Sequence, residues 1–183
     1  MSTSTRLFTA EEYARLPDAG RPTELVRGEV IEMNPPQSRH GQVCGNVTFA
    51  LRSFTKRHDL GHVLCNDTGV ITERDPDTVR GADVAYYSYA RVPKGRLAGY
   101  LSTPPEVVFE VLSPEDRPGR VAAKIQEYLH AGVAKIVVLD PDEDRIYVYA
   151  TGKPTLELHD GDTLKLPEIS PEFAVAVAEL FDG

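Results

Sequence analysis

The most constraining feature of this sequence is residues 107–112, an almost unbroken apolar run that is rich in β-branched residues and lies between prolines. This composition is typical of a strand that is buried on both faces of a sheet. Glu110 is the exception within the run, because a glutamate is almost never buried without a partner. Strand periodicity places its carboxylate on one face with Val108 and Leu112. We therefore expect a cation beside Glu110, and the candidates are a metal ion, a lysine and an arginine.

The composition is that of a globular protein, with 41% hydrophobic and 26% charged residues in a chain of 183. We expect a single domain over residues 1–183. No apolar stretch approaches ~18 residues, so we predict no membrane span. The polar segment 1–6 does not resemble a secretory signal, and Cys44 and Cys65 have neither metal-ligand spacing nor the number of a disulfide scaffold. We therefore expect a cytoplasmic protein.

The net charge of −8 belongs to the C-terminal part of the chain. Residues 140–183 hold 11 acidic and three basic residues, whereas residues 1–139 hold 17 of each. A sequence pI near 5.1 argues against tight nonspecific binding to nucleic acid. The neutral part of the chain still leaves room for a local basic surface.

One segment, residues 86–103, contains no acidic residue, four tyrosines and the basic residues Arg91, Lys94 and Arg96. Basic side chains interleaved with aromatic ones suit a nucleic-acid strand, which offers phosphates and stackable bases. An ordinary loop with solvated charges accounts for the pattern equally well. The segment joins two candidate site residues, and for that reason we predict that its three basic residues bind substrate.

Hydrophobic periodicity and turn signals predict a chain of alternating helices and strands. The predicted elements are a short capped helix at 9–13, a hairpin over 23–33, a helix from Ser38 to 57, strands at 62–72 and 82–87 around a polar loop over 73–81, the strand at 107–112, a helix over 117–131, strands at 135–139, 145–150, 155–158 and 163–166, and a helix over 176–181.

Two further side chains combine with Glu110. Asp83 stands at the start of a predicted strand, where it either caps a loop or presents a carboxylate. Lys124 lies within the apolar stripe of helix 117–131, where a lysine ordinarily extends along its stem to solvent. A helix that follows the Glu110 strand packs back on the sheet, which aims Lys124 toward Glu110. His40 begins the apolar stripe of the second helix, and a packed histidine there is the ordinary alternative to a functional one.

Asp83, Glu110 and Lys124 are the residue types that metal-dependent phosphodiester hydrolysis requires. Two carboxylates bind a hard divalent cation through oxygen. The metal lowers the pKa of a bound water molecule and polarises the phosphate. A lysine positions that water or stabilises the charge that develops on the phosphate.

In their order along the chain, these residues resemble the Uma2 family of endonucleases, within the PD-(D/E)xK nuclease superfamily. The resemblance covers nearly the whole chain and is specific only as an ensemble. Its carriers are residues 24–29, His40, 82–84, 109–114, the helix with Lys124 and Tyr128, 131–133 and 138–141.

The resemblance implies a mixed β-sheet flanked by α-helices, as in restriction-endonuclease cores, and Mg²⁺ or Mn²⁺ as cofactor. It also implies that Asp83 and Glu110 are the metal ligands. The superfamily often has proline where this chain has Ala82, and it expects a lysine where this chain has Leu112. In the family the lysine comes from the following helix, which here supplies Lys124.

Glu24 and His40 also match family positions, as additional contacts to metal or water. The leading hypothesis is a magnesium-dependent DNA endonuclease. A binding module that keeps the fold without turnover is the first alternative. A structural protein with a buried Glu110–Lys124 ion pair is the second, although such a pair is costly to desolvate. The oligomeric state is open, and a homodimer would let two sites cut two strands.

Overall fold

A mixed β-sheet with one long helix on each face organises the structure, as the resemblance to the Uma2 family implies. The computed structural model describes residues 6–17 and 20–183. The elements in these ranges are α1 (Ala10–Tyr13), β1 (Thr23–Val26), β2 (Glu29–Glu32), α2 (Ser38–His58), β3 (Gly61–Glu73), β4 (Thr78–Ser88), β5 (Val107–Val111), α3 (Pro118–Ala131), β6 (Lys135–Asp140), β7 (Arg145–Tyr149), β8 (Leu156–Leu158), β9 (Thr163–Lys165), β10 (Ala174–Ala176) and α4 (Val177–Phe181).

The large sheet runs in the order β2-β1-β4-β5-β6-β7-β8, and β3 pairs with β4 outside this path. Among the described pairs, β5 and β6 are parallel and the others are antiparallel. The crossover between β5 and β6 contains α3, as the predicted strand–helix–strand succession requires. Strands β9 and β10 form a separate small sheet.

The alternation in β5 divides the core into two apolar clusters. Phe109 packs in a cluster with Val47 of α2, whereas Val108 packs in a second cluster with Ile125 of α3. The predicted two-faced strand is therefore confirmed, since every residue of β5 is buried. Glu110 follows the α3 face, where its carboxylate contacts side chains of that helix.

Local signals in the sequence correctly predicted several boundaries. The hairpin between β1 and β2 turns at Arg27 and Gly28, whose φ angles of 50° and 81° are those of a tight two-residue turn. The predicted capping box at α1 is formed by Thr9 and Glu12. Helix α3 ends at Gly132, which has a φ of 96° and lacks the Cβ that would make this conformation costly.

The polar loop predicted over residues 73–81 is shorter in the structure and covers only residues 74–77. β3 continues to Glu73 and β4 begins at Thr78, so Asp83 lies in the middle of β4 rather than at its start. The reason is tertiary, because the polar side chain of Arg80 points into a buried carboxylate cluster and is only 13% exposed. Because this arginine faces inward, the first part of β4 has the polar composition that is typical of a loop.

Two smaller predictions also differ from the structure. Helix α2 begins at Ser38, but its N-cap is Gln37, which makes no side-chain capping bond. Ala176, predicted as the start of the last helix, instead ends β10, a strand that the sequence analysis did not predict.

The interpretation of residues 1–6 falls almost entirely outside the described residues. Within 6–17 and 20–183, no helix combines the length and the apolar character that crossing a membrane requires.

Candidate active site

The site lies where two strands meet along one edge of β4. Because β3 pairs with β4 along its length, β1 and β5 share the other edge. β1 pairs there at Val79 and β5 pairs there from Val84 onward. The intervening residues of β4 lie in a gap between the two strand ends. Side chains rather than a neighbouring strand must therefore provide the hydrogen bonds for the backbone N–H and C=O groups there.

Site residues provide these hydrogen bonds. The N–H of Gly81 donates to Glu24 Oε1 at 3.0 Å, and its carbonyl accepts from Lys124 Nζ at 2.8 Å. The N–H of Val111 donates to Asp83 Oδ2 at 2.7 Å. The three functional side chains therefore complete the sheet at the point where its ladder is interrupted.

Glu110 and Lys124 form a buried ion pair. Lys124 Nζ lies 2.6 Å from Glu110 Oε2 and 3.3 Å from Glu24 Oε1. Tyr128, one helical turn after Lys124, donates its hydroxyl to Glu110 Oε1 at 2.8 Å. The spacing of four residues on α3 brings the lysine and the tyrosine to the same carboxylate.

Arg80 links β1, β4 and α3 beside this pair. Its guanidinium donates to Glu24 Oε2 at 2.7 Å and to both carboxylate oxygens of Glu127, at 2.5 and 2.9 Å. Glu127 lies three residues after Lys124 on α3, so this two-point contact holds the helix against the sheet. Glu24 is 4% exposed and is held by Arg80 from one side and by Lys124 from the other.

A β-bulge in β3 lies opposite Asp83. Cys65 pairs with Val84 and Thr68 pairs with Ala82, so two residues of β3 oppose Asp83 alone. The extra residues, Asn66 and Asp67, have φ angles of 69° and 53°. Bulges of this kind occur next to active sites, where they redirect side chains.

Asp83 contacts the first turn of α2. His40 Nε2 lies 3.3 Å from Asp83 Oδ1, and His40 Nδ1 lies 3.5 Å from Cys44 Sγ. One ligand atom from each of the three residues lies within 4.8 Å of the other two. The carboxylate of Asp83 thus connects a histidine and a cysteine on α2 with the backbone of β5.

A cavity of about 580 Å³ opens onto Asp83. Its walls come from α2 and from the bulge of β3, and Phe49 and Arg52 are among the lining residues. Phe49 is 75% exposed, which is unusual for a large aromatic side chain. Gly41 and Gly45 line the α2 wall, and the space beside them is open, since a Cβ at either position would meet nothing within 4 Å.

The site carries an excess of negative charge. Burial raises the pKa of Glu110, and the charge of Asp83 raises it further, against the opposing effects of Lys124 and Tyr128. Burial and the charge of Asp83 also raise the pKa of Asp67. Five carboxylates here face two permanent cations, Arg80 and Lys124; the carboxylates are those of Glu24, Asp67, Asp83, Glu110 and Glu127.

The basic side chains of the site have raised pKa values. Burial lowers the pKa of Lys124, but Glu110, Glu24 and Asp83 outweigh burial and raise it overall. Burial also lowers the pKa of His40, and the hydrogen bond and charge of Asp83 reverse that effect. Each of these shifts reflects the carboxylate excess.

Comparisons with known proteins give the family and the fold of the chain. The family model of Uma2, described as "Putative restriction endonuclease", matches residues 10–178. The chain belongs to the Uma2 family. Its fold is similar to that in a crystal structure titled as a "putative nuclease belonging to DUF820" from Anabaena variabilis ATCC 29413, with a TM-score of 0.83 and 21% sequence identity over 95% of this chain and 97% of that one. No curated protein matches the chain.

The structure brings five of the predicted site residues of this Uma2 protein into one region. Glu24, Glu110 and Lys124 are in direct contact, and Asp83 and His40 are in contact beside them. The charge of Asp83 acts on both Glu110 and Lys124, so the two groups form one electrostatic unit.

The three predicted substrate-binding residues lie outside this region. Arg91 donates to the carbonyls of Pro104 and Pro105 at 2.7 and 3.0 Å and pairs with Glu106. Lys94 pairs with Asp59 at 2.5 Å, and Arg96 is exposed. Substrate binding by this segment stays a prediction.

Sequence reasoning missed Arg80, Cys44 and Asp67 as members of the site. Arg80 was assigned to a loop, and Asp67 lies in a bulge that no local pattern indicates. Cys44 had one usable signal, because it follows His40 by four residues and α2 therefore presents both on one face.

The donor set of the site suits a divalent cation. Asp83 and Glu110 offer oxygen atoms, and each carboxylate oxygen keeps a second lone pair besides its observed hydrogen bond. The carboxylate excess gives a bound cation a favourable field. Oxygen donors of this kind are preferred by Mg²⁺ and Mn²⁺.

Proposed function

We propose that this Uma2 protein is a single-domain, metal-dependent DNA endonuclease that hydrolyses phosphodiester bonds. The observation that carries the proposal is the buried Lys124–Glu110 contact beside Asp83, at an interruption of the sheet that a stable core does not require. A buried ion pair is often no more stabilising than well-packed apolar side chains. A functional reason for the cluster is therefore favoured.

The chain supplies the ligands and the charges of the reaction. Asp83 and Glu110 would hold Mg²⁺ or Mn²⁺, and a bound ion of this type supplies an activated water molecule and polarises the phosphate. Tyr128 orients Glu110 through its hydroxyl, and Val111 N–H orients Asp83. Lys124 places a positive charge where negative charge develops on the phosphate.

Two further residues have supporting roles in this proposal. Glu24 holds the ammonium of Lys124 between two carboxylates, which limits its movement. His40 lies against Asp83 Oδ1, where it would contact the metal or its water.

The cavity beside Asp83 provides a route for the substrate strand. Phe49 offers an exposed ring on which a nucleobase can stack, and Arg52 offers a cation for a phosphate. The chain contains no tryptophan, so Phe49→Trp introduces a single tryptophan, whose emission can be excited selectively over that of the tyrosines. Quenching of its emission by a single-stranded oligonucleotide supports this route, and unchanged emission at saturating oligonucleotide refutes it.

The function itself is tested by metal titration and by cleavage assays. Calorimetry with Mg²⁺ and Mn²⁺ is compared among the wild type, Asp83→Asn and Glu110→Gln, which keep the shape of each side chain. We expect both variants to lose metal affinity and to lose cleavage of plasmid and single-stranded DNA. Metal-independent binding of DNA without cleavage by the wild type would overturn the endonuclease proposal.

A binding module without turnover is the second candidate. It is favoured by the saturation of Lys124, whose three donors already meet Glu110, Glu24 and the carbonyl of Gly81. In that case DNA or a protein partner binds and no product forms.

Two further expectations, a homodimer and a cytoplasmic location, have tests of their own. Sedimentation of the wild type with and without a DNA duplex tests the homodimer. The distribution of the protein in fractionated cells tests the cytoplasmic location.

A further inference from the structure

We propose that His40, Cys44 and Asp83 form a binding site for a thiophilic transition-metal ion, and that Zn²⁺ is the ion these ligands suit best. His40 and Cys44 are four residues apart on α2, so both face the same side of the helix. Asp83 approaches them from β4. The site thus joins an imidazole, a thiol and a carboxylate from two rigid elements.

The ligand atoms lie near the separations of a zinc site, with one atom of each residue within 4.8 Å of the other two. Zinc bonds are about 2.3 Å to sulfur and about 2.0–2.2 Å to nitrogen or oxygen, so ligand atoms around one tetrahedral ion lie roughly 3.3–3.7 Å apart. The contacts of His40 with Asp83 Oδ1 and Cys44 Sγ measure 3.3 and 3.5 Å. They use different ring nitrogens, so a metal takes one nitrogen and replaces one of the two contacts.

The ligand types distinguish this site from a magnesium site. Mg²⁺ is bound through oxygen atoms, whereas thiolate and imidazole ligands favour zinc. Coordination requires the thiolate, so the proton of Cys44 is released to solvent when the metal binds. Three protein ligands leave a fourth position for water, and the adjoining cavity gives that position access to solvent.

The surroundings of the three ligands favour a cation, because a nearby carboxylate is not already paired with a basic side chain. Asp67 lines the same cavity and has no ion-pair partner among the described residues. Cys44 is partly buried, which shields its sulfur while the cavity leaves it reachable. Cys65 lines the cavity too, but its sulfur is exposed and is not part of the three-atom group.

Zinc at this site is expected to inhibit cleavage, a consequence that rests on the proposed function. Asp83 belongs both to the zinc ligands and to the proposed magnesium ligands, so one carboxylate would serve two ions of different preference. Zn²⁺ would also withdraw His40 from its contact with the magnesium site. The two metals therefore compete.

Cobalt absorption spectroscopy tests the binding site directly. Co²⁺ is added to the metal-free, reduced protein, and a thiolate-to-cobalt charge-transfer band reports a Cys ligand. We expect the band in the wild type, its displacement by one equivalent of Zn²⁺, and its loss in Cys44→Ser. Cys65→Ser is the matched control and should keep the band.

Two results would overturn the inference. They are absence of the band in the folded wild type and its persistence in Cys44→Ser, whether or not Cys65→Ser keeps it. Circular dichroism of each variant shows that it is folded, and His40→Ala provides a second ligand variant, which should also lose the band.

A cleavage assay then separates this inference from the proposed function. Zn²⁺ should lower the magnesium-dependent rate of the wild type, and should lower that of Cys44→Ser less, each relative to its own zinc-free rate. Equal inhibition of both proteins would contradict the shared-ligand argument. If no condition yields cleavage, the proposed function fails, while the cobalt spectrum still decides the zinc site.

Discussion

Lys124 Nζ lies 2.6 Å from Glu110 Oε2, and this contact joins α3 to the central strand of the sheet. Both residues are anomalous in their own elements, since one is an acid in a buried strand and the other a base in an apolar helical stripe. The contact neutralises both buried charges. It also places a cation beside the carboxylates that would hold a metal. The contact therefore has two separable roles, one in stability and one in catalysis.

Lys124→Met separates the two roles because it keeps most of the stem packing and removes the charge. We expect single-turnover cleavage by the folded, magnesium-saturated protein to fall by about 10²-fold or more, the scale for losing one electrostatic donor. The orphaned carboxylate should also destabilise the metal-free protein by about 3–5 kcal/mol. Magnesium should restore part of that loss, as thermal melts with and without the ion will show.

Lys135→Met is the matched control for this change. Lys135 is a partly buried lysine that pairs with Glu168 away from the site, at 3.7 Å. It should alter stability slightly and leave cleavage unchanged. A folded Lys124→Met that cleaves at the wild-type rate would end the catalytic role of the lysine.

Tyr128→Phe removes the hydroxyl that orients Glu110. A hydrogen bond to a charged group contributes about 1.5–3 kcal/mol, so the free energy of unfolding should fall by that amount. Loss of a group that orients a metal ligand commonly lowers metal affinity or activity by about 10–100-fold. Urea unfolding and magnesium calorimetry measure the two effects.

Tyr87→Phe is the corresponding control, since Tyr87 is equally buried and its hydroxyl has no hydrogen-bond partner among the described residues. It should leave magnesium affinity at the wild-type value. Equal magnesium affinity for Tyr128→Phe and the wild type would exclude the orienting role.

Glu24→Gln should change how stability depends on pH. Burial raises the pKa of Glu24, but Lys124 and Arg80 outweigh burial, so the pKa of the folded protein lies below the ordinary value of 4.5. A depressed carboxyl pKa contributes stability above the unfolded pKa, and that contribution is lost as the pH falls through the folded pKa. The variant should therefore lose about 3 kcal/mol at neutral pH, the lower end for breaking a buried ion pair, and less below pH 4.5.

Urea unfolding of both proteins across this pH range measures the difference. The exposed Glu29→Gln serves as control and should show the same stability as the wild type at every pH. A constant difference between Glu24→Gln and the wild type from neutral to acid pH would show that the carboxylate charge of Glu24 does not stabilise the fold.

The basic segment 86–103 is tested by replacing Arg91, Lys94 and Arg96 together with alanine. We expect weaker DNA binding and a shallower dependence of affinity on salt, because fewer counterions are released. Arg91 also anchors the segment to the carbonyls of Pro104 and Pro105, so Arg96→Ala alone isolates the electrostatic effect. Anisotropy titrations at several salt concentrations give both quantities.

The same titrations on Arg52→Ala compare this segment with the cavity beside Asp83. If the dependence of DNA affinity on salt changes in Arg52→Ala and not in the triple variant, the DNA strand binds in the cavity. An unchanged slope and affinity in the triple variant would make the segment an ordinary surface loop.

Much of the fold was predictable because the signals were local. The Arg27–Gly28 turn, the capping box of α1 and the glycine that ends α3 each depend on a few neighbouring residues. The approach of Lys124 to Glu110 was predictable for a similar reason, since a helix that follows a buried strand packs its apolar stripe on the sheet. The first part of β4, which contains Arg80, was predicted as a loop because this polar side chain has its partners in residues distant in sequence.

The sequence by itself determined that Glu110 is buried, that it needs a cation, and that α3 carries a lysine on the face that meets the sheet. Only the tertiary structure decided which groups share that site. The interruption between β1 and β5, the bulge opposite Asp83, and the approach of Cys44 to His40 and Asp83 all depend on strand pairing. Strand pairing joins residues far apart in the chain, and the energy of each such contact depends on burial and charge that no local pattern contains.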